Sequence, residues 1–151
     1  MKTDEEYMTA ALNEAALAYN AGEIPVGAVV VDENGNIIAT GHNEKEQTNN
    51  ATAHAEIIAI QSAGQKLNNW RLSGCTLYVT LEPCPMCAGA IVMARLARVV
   101  YGLPDAKTGA LESLFNIPGH PSLNHYVEVT AGIKEDECRK LLKNFFKAKR
   151  E

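Results

Sequence analysis

The order in which strand-like and helix-like segments follow one another constrains this chain most. "VGAVVVD" (26–32) and "NIIATGH" (36–42) flank Glu33-Asn34-Gly35, and an Asn-Gly step between two apolar runs predicts a tight hairpin. "CTLYVTL" (75–81), rich in β-branched and aromatic residues, reads as a buried strand. "ARVVYG" (97–102) and "HYVEVTAG" (125–132) read as two more. Around them the spacing is helical. Residues 4–20 carry an apolar stripe (Met8, Ala11, Leu12, Ala15, Ala16, Tyr19), with Asp4 as cap and Gly22 as stop. A second helix runs from Thr52 as cap through Ile57, Ile58, Ile60 and Ala63, with Gly64 as stop. Residues 84–94 give a short, nearly all-apolar helix that burial on all sides would explain, and 134–150 give a terminal one. Residues 103–124 read as a loop with one helical turn around Leu111 to Asn116, and a connection that long is usually functional or flexible. Strands alternating with helices imply a mixed five-stranded sheet covered on both faces, a three-layer α/β/α sandwich.

At 151 residues the chain is the size of one domain, expected to span 1–151. With 46% hydrophobic and 21% charged residues it has the composition of a soluble globular protein. A formal net charge of -4 argues against nucleic-acid binding over the whole surface and leaves room for a local basic patch. The first residues mix acids with apolar side chains and have no basic n-region, and no run approaches the ~18 apolar residues of a membrane span. A cytoplasmic protein with no membrane partner is the expectation. In such a chain, close cysteine pairs serve metal or catalysis more often than disulfides.

Two short stretches carry chemistry. In "LEPCPMC" (81–87), Cys84 and Cys87 stand at i and i+3 at a helix start, so their sulfurs emerge on one face near backbone N–H groups that favour thiolates. That is half of a tetrahedral zinc site, and the chain has no second CxxC or HxxxH to complete a structural one. The remaining ligand must come from His42, His54, His120 or His125, and His54, in "TAHAEIIAI" (52–60), is the one at a predicted helix start. Three protein ligands leave zinc's fourth position to water, the catalytic arrangement, and Glu56, two residues on, is a natural proton shuttle. A redox CxxC would want a thioredoxin-like context. A zinc-stabilised RNA-binding module without catalysis would have no use for Glu56.

H-x-E followed by P-C-x-x-C resembles the signature of the zinc-dependent nucleoside and nucleobase deaminases. "EIPVGAVVV", "WRLSGCTLYVTLEPCPMCAGAIVMAR", "RVVYGLPDAKTGA" and "NHYVEVTAGI" are similar in particular to the bacterial tRNA-specific adenosine deaminases, a likeness covering roughly residues 5 to 150. The resemblance implies a cytidine deaminase-like fold, one Zn2+ per subunit held by His54, Cys84 and Cys87, and Glu56 as general acid/base. It implies that Asn43 and the backbone N–H of Ala55 hold the target base, and that Asp105 and Lys107 contact the RNA nearby. The implied reaction is hydrolytic deamination of wobble adenosine to inosine, by attack of zinc-activated hydroxide on C6. It further implies a homodimer and a tRNA anticodon stem-loop as substrate. The alternative is a free nucleobase or nucleoside deaminase, acting on guanine, cytosine or cytidine with the same chemistry.

An acidic protein that binds tRNA must supply phosphate contacts from a local patch. The last helix offers Arg139, Lys140, Lys143, Lys147, Lys149 and Arg150, interrupted by Phe145 and Phe146. Lys143, Phe146, Lys147 and Arg150 are the candidate RNA contacts. Ala51, Leu111 and Glu112 depart from the family's usual residues, and Glu112 beside RNA would be electrostatically unwelcome.

Overall fold

The computed structural model describes residues 1–150. Helix α1 (Asp4–Asn20) starts one residue earlier than Asp4 suggested: Thr3 is its cap, its hydroxyl accepting the Glu6 N–H while the Glu6 carboxylate accepts the Thr3 N–H. Asp4 is thereby free to pair elsewhere. Strands β1 (Gly27–Val31) and β2 (Ile37–His42) form the expected hairpin, its turn held by Asp32 Oδ1 accepting from the backbone N–H of Asn34 and Asn36. A one-turn helix α2 (Lys45–Thr48), which the sequence did not signal, follows. Then come α3 (Ala55–Leu67), β3 (Thr76–Leu81), α4 (Pro85–Met93), β4 (Arg98–Leu103), β5 (Glu128–Thr130) and α5 (Glu135–Arg150).

The sheet order is β2-β1-β3-β4-β5, with β1 antiparallel to both neighbours and β3, β4 and β5 parallel. Because side chains alternate across a strand, Val29 and Val31 face one side while Ala28 and Val30 face the other, and all four are buried. On the first side α1 and α5 supply Tyr7, Met8, Ala11 and Cys138; on the second, α3 and α4 supply Ala55, Ala59, Ala88 and Ile91. The result is the mixed five-stranded α/β/α sandwich expected from the element order.

Several local features differ from expectation, each for a physical reason. The residue capping α3 is His54, not Thr52, whose hydroxyl instead binds Asn50. Gly64 lies inside α3, which ends at Asn68 in the left-handed conformation. In α4 one side alone is buried (Cys87, Ala88, Ile91, Val92), while Met86 and Met93 reach the surface. No helix forms at 111–116: the N–H groups of Leu111, Glu112 and Ser113 donate to the Glu82 carboxylate, and those of Leu114 and Phe115, which a helix would send to successive carbonyls, both go to Gly109. Among the described residues no helix is long and apolar enough to cross a membrane.

Candidate active site

The N-termini of α3 and α4 meet at one end of the sheet. His54 and Cys84 occupy equivalent places, each an extended residue immediately before a helix, and Cys87 lies in the first turn of α4 behind Pro85. Strand β2 sets the position of α3, because a Cβ at Gly41 would sit 2.5 Å from the Ala55 carbonyl oxygen and 2.8 Å from the Ala59 nitrogen. Only glycine lets the helix approach that closely.

Cys84 Sγ lies 3.6 Å and Cys87 Sγ 3.5 Å from His54 Nδ1, and the three ligand atoms all fall within 4.8 Å of one another. A tetrahedral zinc with bonds of about 2.3 Å to sulfur and about 2.05 Å to nitrogen places those atoms about 3.6 Å apart. The donor set and its spacing therefore fit zinc. The three groups also shift one another: the Cys87 thiol donating to Cys84 draws the latter's pKa down to about 4, against burial and with help from His54. Cys87, as donor in a buried place, is pushed far up. His54 is raised, chiefly by its bond to Cys84.

Beside this cluster a cavity of about 670 Å³ opens, bordered by His54, Ala55, Glu56 and Cys84. Glu56 is 4% exposed. Burial pushes its carboxyl up to about 7, opposed by its backbone N–H and the His54 charge. Asn43, immediately after β2, also lines the cavity; its Oδ1 is buried with no hydrogen-bond partner among the described residues, and its Nδ2 lies a long 3.5 Å from the Ile24 carbonyl. A buried acceptor left unpaired at a cavity marks a place for a ligand's donor.

Asp105 and Lys107 border the same cavity. The Asp105 carboxylate turns back on its own loop, accepting the N–H groups of Lys107 and Thr108 at 3.0 and 3.3 Å and the Thr108 hydroxyl at 2.8 Å. Glu112 does not project freely: its carboxylate accepts the hydroxyl of the buried Tyr101 at 2.7 Å. Phe146 reaches the cavity from α5, and a neighbouring depression of about 600 Å³ is lined by Phe145, Phe146, Lys149, Lys45 and Asn43. Lys143, Lys147 and Arg150 are exposed on α5 and line neither.

The other histidines stand apart from the cluster, His42 on Glu14 at 3.1 Å and His125 on the Leu96 carbonyl at 2.6 Å. Lys45 and Glu82 were missed by sequence reasoning. Lys45 lies in the charged stretch "NEKEQ", where nothing sets it apart, whereas Glu82 stood in plain view as an acid closing an apolar strand. Burial raises the Glu82 carboxyl, but the Ser113 hydroxyl and the N–H groups of Glu112, Ser113 and Asp105 outweigh it and leave the group below its usual range.

Residues 1–103 match the family described as the cytidine and deoxycytidylate deaminase zinc-binding region. The chain belongs to this zinc deaminase family. Like other members of it, the enzyme is a zinc-dependent hydrolase, and the His54, Cys84 and Cys87 cluster is where such a metal fits. It is 48% identical over 147 residues to the tRNA-specific adenosine deaminase of Bacillus subtilis (strain 168), covering 97% of this chain and 91% of that protein. A solved structure from biochemical and structural studies of A-to-I editing by tRNA:A34 deaminases at the wobble position of transfer RNA is similar with a TM-score of 0.87 at 44% identity, covering 91% of this chain and 99% of that one. The guanine deaminase of Nitrosomonas europaea gives a TM-score of 0.84 at 26% identity, covering 96% of this chain and 85% of that one.

Proposed function

We infer that this zinc deaminase converts adenosine to inosine at the wobble position of tRNA anticodon loops, acting as one domain over residues 1–151. The observation that carries the reading is the likeness, at 48% identity along 97% of the chain, to a tRNA-specific adenosine deaminase. The site supports it. A cavity for one base continues past Asn43 into a depression bordered by an exposed Phe146 ring and the cations Lys45 and Lys149, which suits a single strand entering on either side of a splayed base.

Bound zinc supplies Lewis acidity that brings the pKa of water from 15.7 to about 7, making hydroxide available at neutral pH. The chain's own residues do the rest. Asn43 and the Ala55 N–H orient the base so that C6 faces the cluster. Glu56 takes one proton from water and delivers it to the ring nitrogen next to C6, then takes the second from the oxygen now bonded to C6 and passes it to the departing amine as the carbonyl forms. Water's oxygen stays on C6 and ammonia leaves. Asp105 shapes the loop that offers Lys107 to the RNA, while Lys143, Lys147 and Arg150 extend the cationic surface along α5.

The reading includes a homodimer in the cytoplasm, where tRNA is found. The surface-exposed Met86 and Met93 of the otherwise apolar α4 support a second copy of the chain covering that face. The test is inosine formation by zinc-loaded protein given an anticodon stem-loop with wobble adenosine, with free adenosine, guanine and cytidine in parallel. Inosine in the RNA alone is expected. Turnover of a free base with the RNA untouched would overturn the substrate and keep the chemistry. Glu56→Gln is expected to lower turnover by about 10²–10⁴-fold with zinc content unchanged.

A further inference from the structure

A second buried carboxylate borders the cavity, and its surroundings differ from those of Glu56. Glu82, 2% exposed, is the residue after β3 and stands two before the zinc ligand Cys84. Its Oε1 accepts the Asp105 N–H at 3.0 Å and the Ser113 hydroxyl; its Oε2 accepts the N–H groups of Leu111, Glu112 and Ser113 at 3.1, 2.9 and 3.0 Å. Five donors occupy the roughly four lone-pair sites of a carboxylate, so nothing is left over for a substrate proton.

All five donors come from one segment. Charge-assisted bonds of this kind are the strong class, and no Lys or Arg pairs with Glu82 among the described residues. The charge and the loop therefore depend on each other, since lifting the loop away would strand a buried anion. Gly109 confirms how tightly the segment wraps: a Cβ there would lie 2.4 Å from the Glu82 carboxyl carbon. The Ala110 N–H donates to the Pro83 carbonyl at 2.8 Å, so the same loop is tied to both residues that precede Cys84.

We propose that Glu82 is a positioning residue, whose buried carboxylate gathers the backbone of residues 105–113 into a fixed side of the cavity and so holds Asp105 and Lys107 ready for the RNA. The consequence for substrate binding rests on the tRNA reading; the anchoring of the loop does not. A preformed loop loses less conformational entropy when the substrate arrives, so its loss falls mainly on KM.

The experiment is amide hydrogen exchange and steady-state kinetics on zinc-loaded wild type, E82Q, E82D and S113A. In E82Q the side chain keeps one acceptor oxygen and turns an NH2 toward backbone donors. The amides of Asp105, Leu111, Glu112 and Ser113 are expected to exchange about a hundredfold faster, with those of β1 and β3 unchanged and zinc content retained. KM for the stem-loop is expected to rise about tenfold or more with a smaller change in kcat. E82D, which keeps the charge, should recover part of both effects. Should E82Q not fold, S113A removes one donor and leaves the carboxylate in place, and the same amides are expected to speed up several-fold. Unchanged protection of 105–113 in these variants would overturn the proposal, as would zinc loss or a collapse of kcat at constant KM. Exchange needs no substrate, so it judges Glu82 even if wild type fails on RNA; the KM comparison then uses whichever substrate wild type turns over.

Discussion

Four polar side chains are buried around the cavity and the depression beside it, and what satisfies each one separates scaffold from chemistry. Glu23 accepts the N–H groups of Glu46 and Gln47 at 3.1 and 2.7 Å and so fixes α2 beside Asn43. Glu82 is saturated by its loop, as described above. Glu56 sits next to the metal ligands, and Asn43 keeps an Oδ1 unpaired among the described residues. A buried acceptor without a partner costs about 1–3 kcal/mol, which, on the proposed function, the free enzyme bears and a bound base relieves. Asn43→Ala is therefore expected to leave thermal stability unchanged or slightly raised while lowering kcat/KM by about 10–100-fold. Thermal melts and kinetics on the same preparation check this. A large drop in melting temperature with activity retained would assign Asn43 to the scaffold instead.

At the scale of elements, the metal site exists because two helices begin at the same place, and β2 is what aligns the first of them. Gly41→Ala would put a methyl group into the Ala55 carbonyl and the backbone of Ala59, so α3 must shift outward, carrying His54 and the Ala55 N–H with it. The expected result is a loss of about 1–3 kcal/mol of stability and weaker zinc binding, read by thermal unfolding and by competition with a chelator. An unaltered zinc affinity would mean that the helix end adjusts independently of the sheet. This dependence also explains what was legible beforehand. The longer helices, the hairpin and the cysteine pair were readable because each rests on local signals, apolar period, Asn-Gly and Cys spacing, and His54 because it stands at a helix start. The segment 103–124 misled, since its Leu111 to Asn116 run looks helical, and nothing in a linear reading shows that the N–H groups of Leu111 to Ser113 go to Glu82, some thirty residues away, and those of Leu114 and Phe115 to Gly109. Likewise α4 looked buried all round, because its apolar composition does not say which side faces the core; Met86 and Met93 reach the surface.

Across the whole molecule, one ionic junction ties the start of the chain to the sheet. Asp4 and Arg98 pair in bidentate fashion at 3.0 and 2.8 Å, the Tyr78 hydroxyl donates to Asp4 at 2.6 Å, and Arg98 reaches Thr130 at 2.9 Å. Helix α1 is thus fastened to β3, β4 and β5 at once, on the face opposite α3 and α4. The Arg98 guanidinium holds the Asp4 carboxyl below its usual range, with burial opposing and Tyr78 assisting. A carboxyl whose folded pKa is depressed contributes stability that is fully present above the unfolded value of about 3.9 and is lost as pH falls through the folded value. Asp4→Asn should therefore destabilise the protein by about 1–2 kcal/mol at pH 7, between the values for exposed and buried pairs. Between about pH 4 and the folded pKa the difference from wild type should shrink, and below that it should vanish. Zinc release in acid weakens both proteins alike, so the comparison of the two at each pH isolates the junction. Urea unfolding from pH 7 to 3 measures it, and a difference that stays constant down the series would show that Asp4 acts through the geometry of the helix start rather than through its charge.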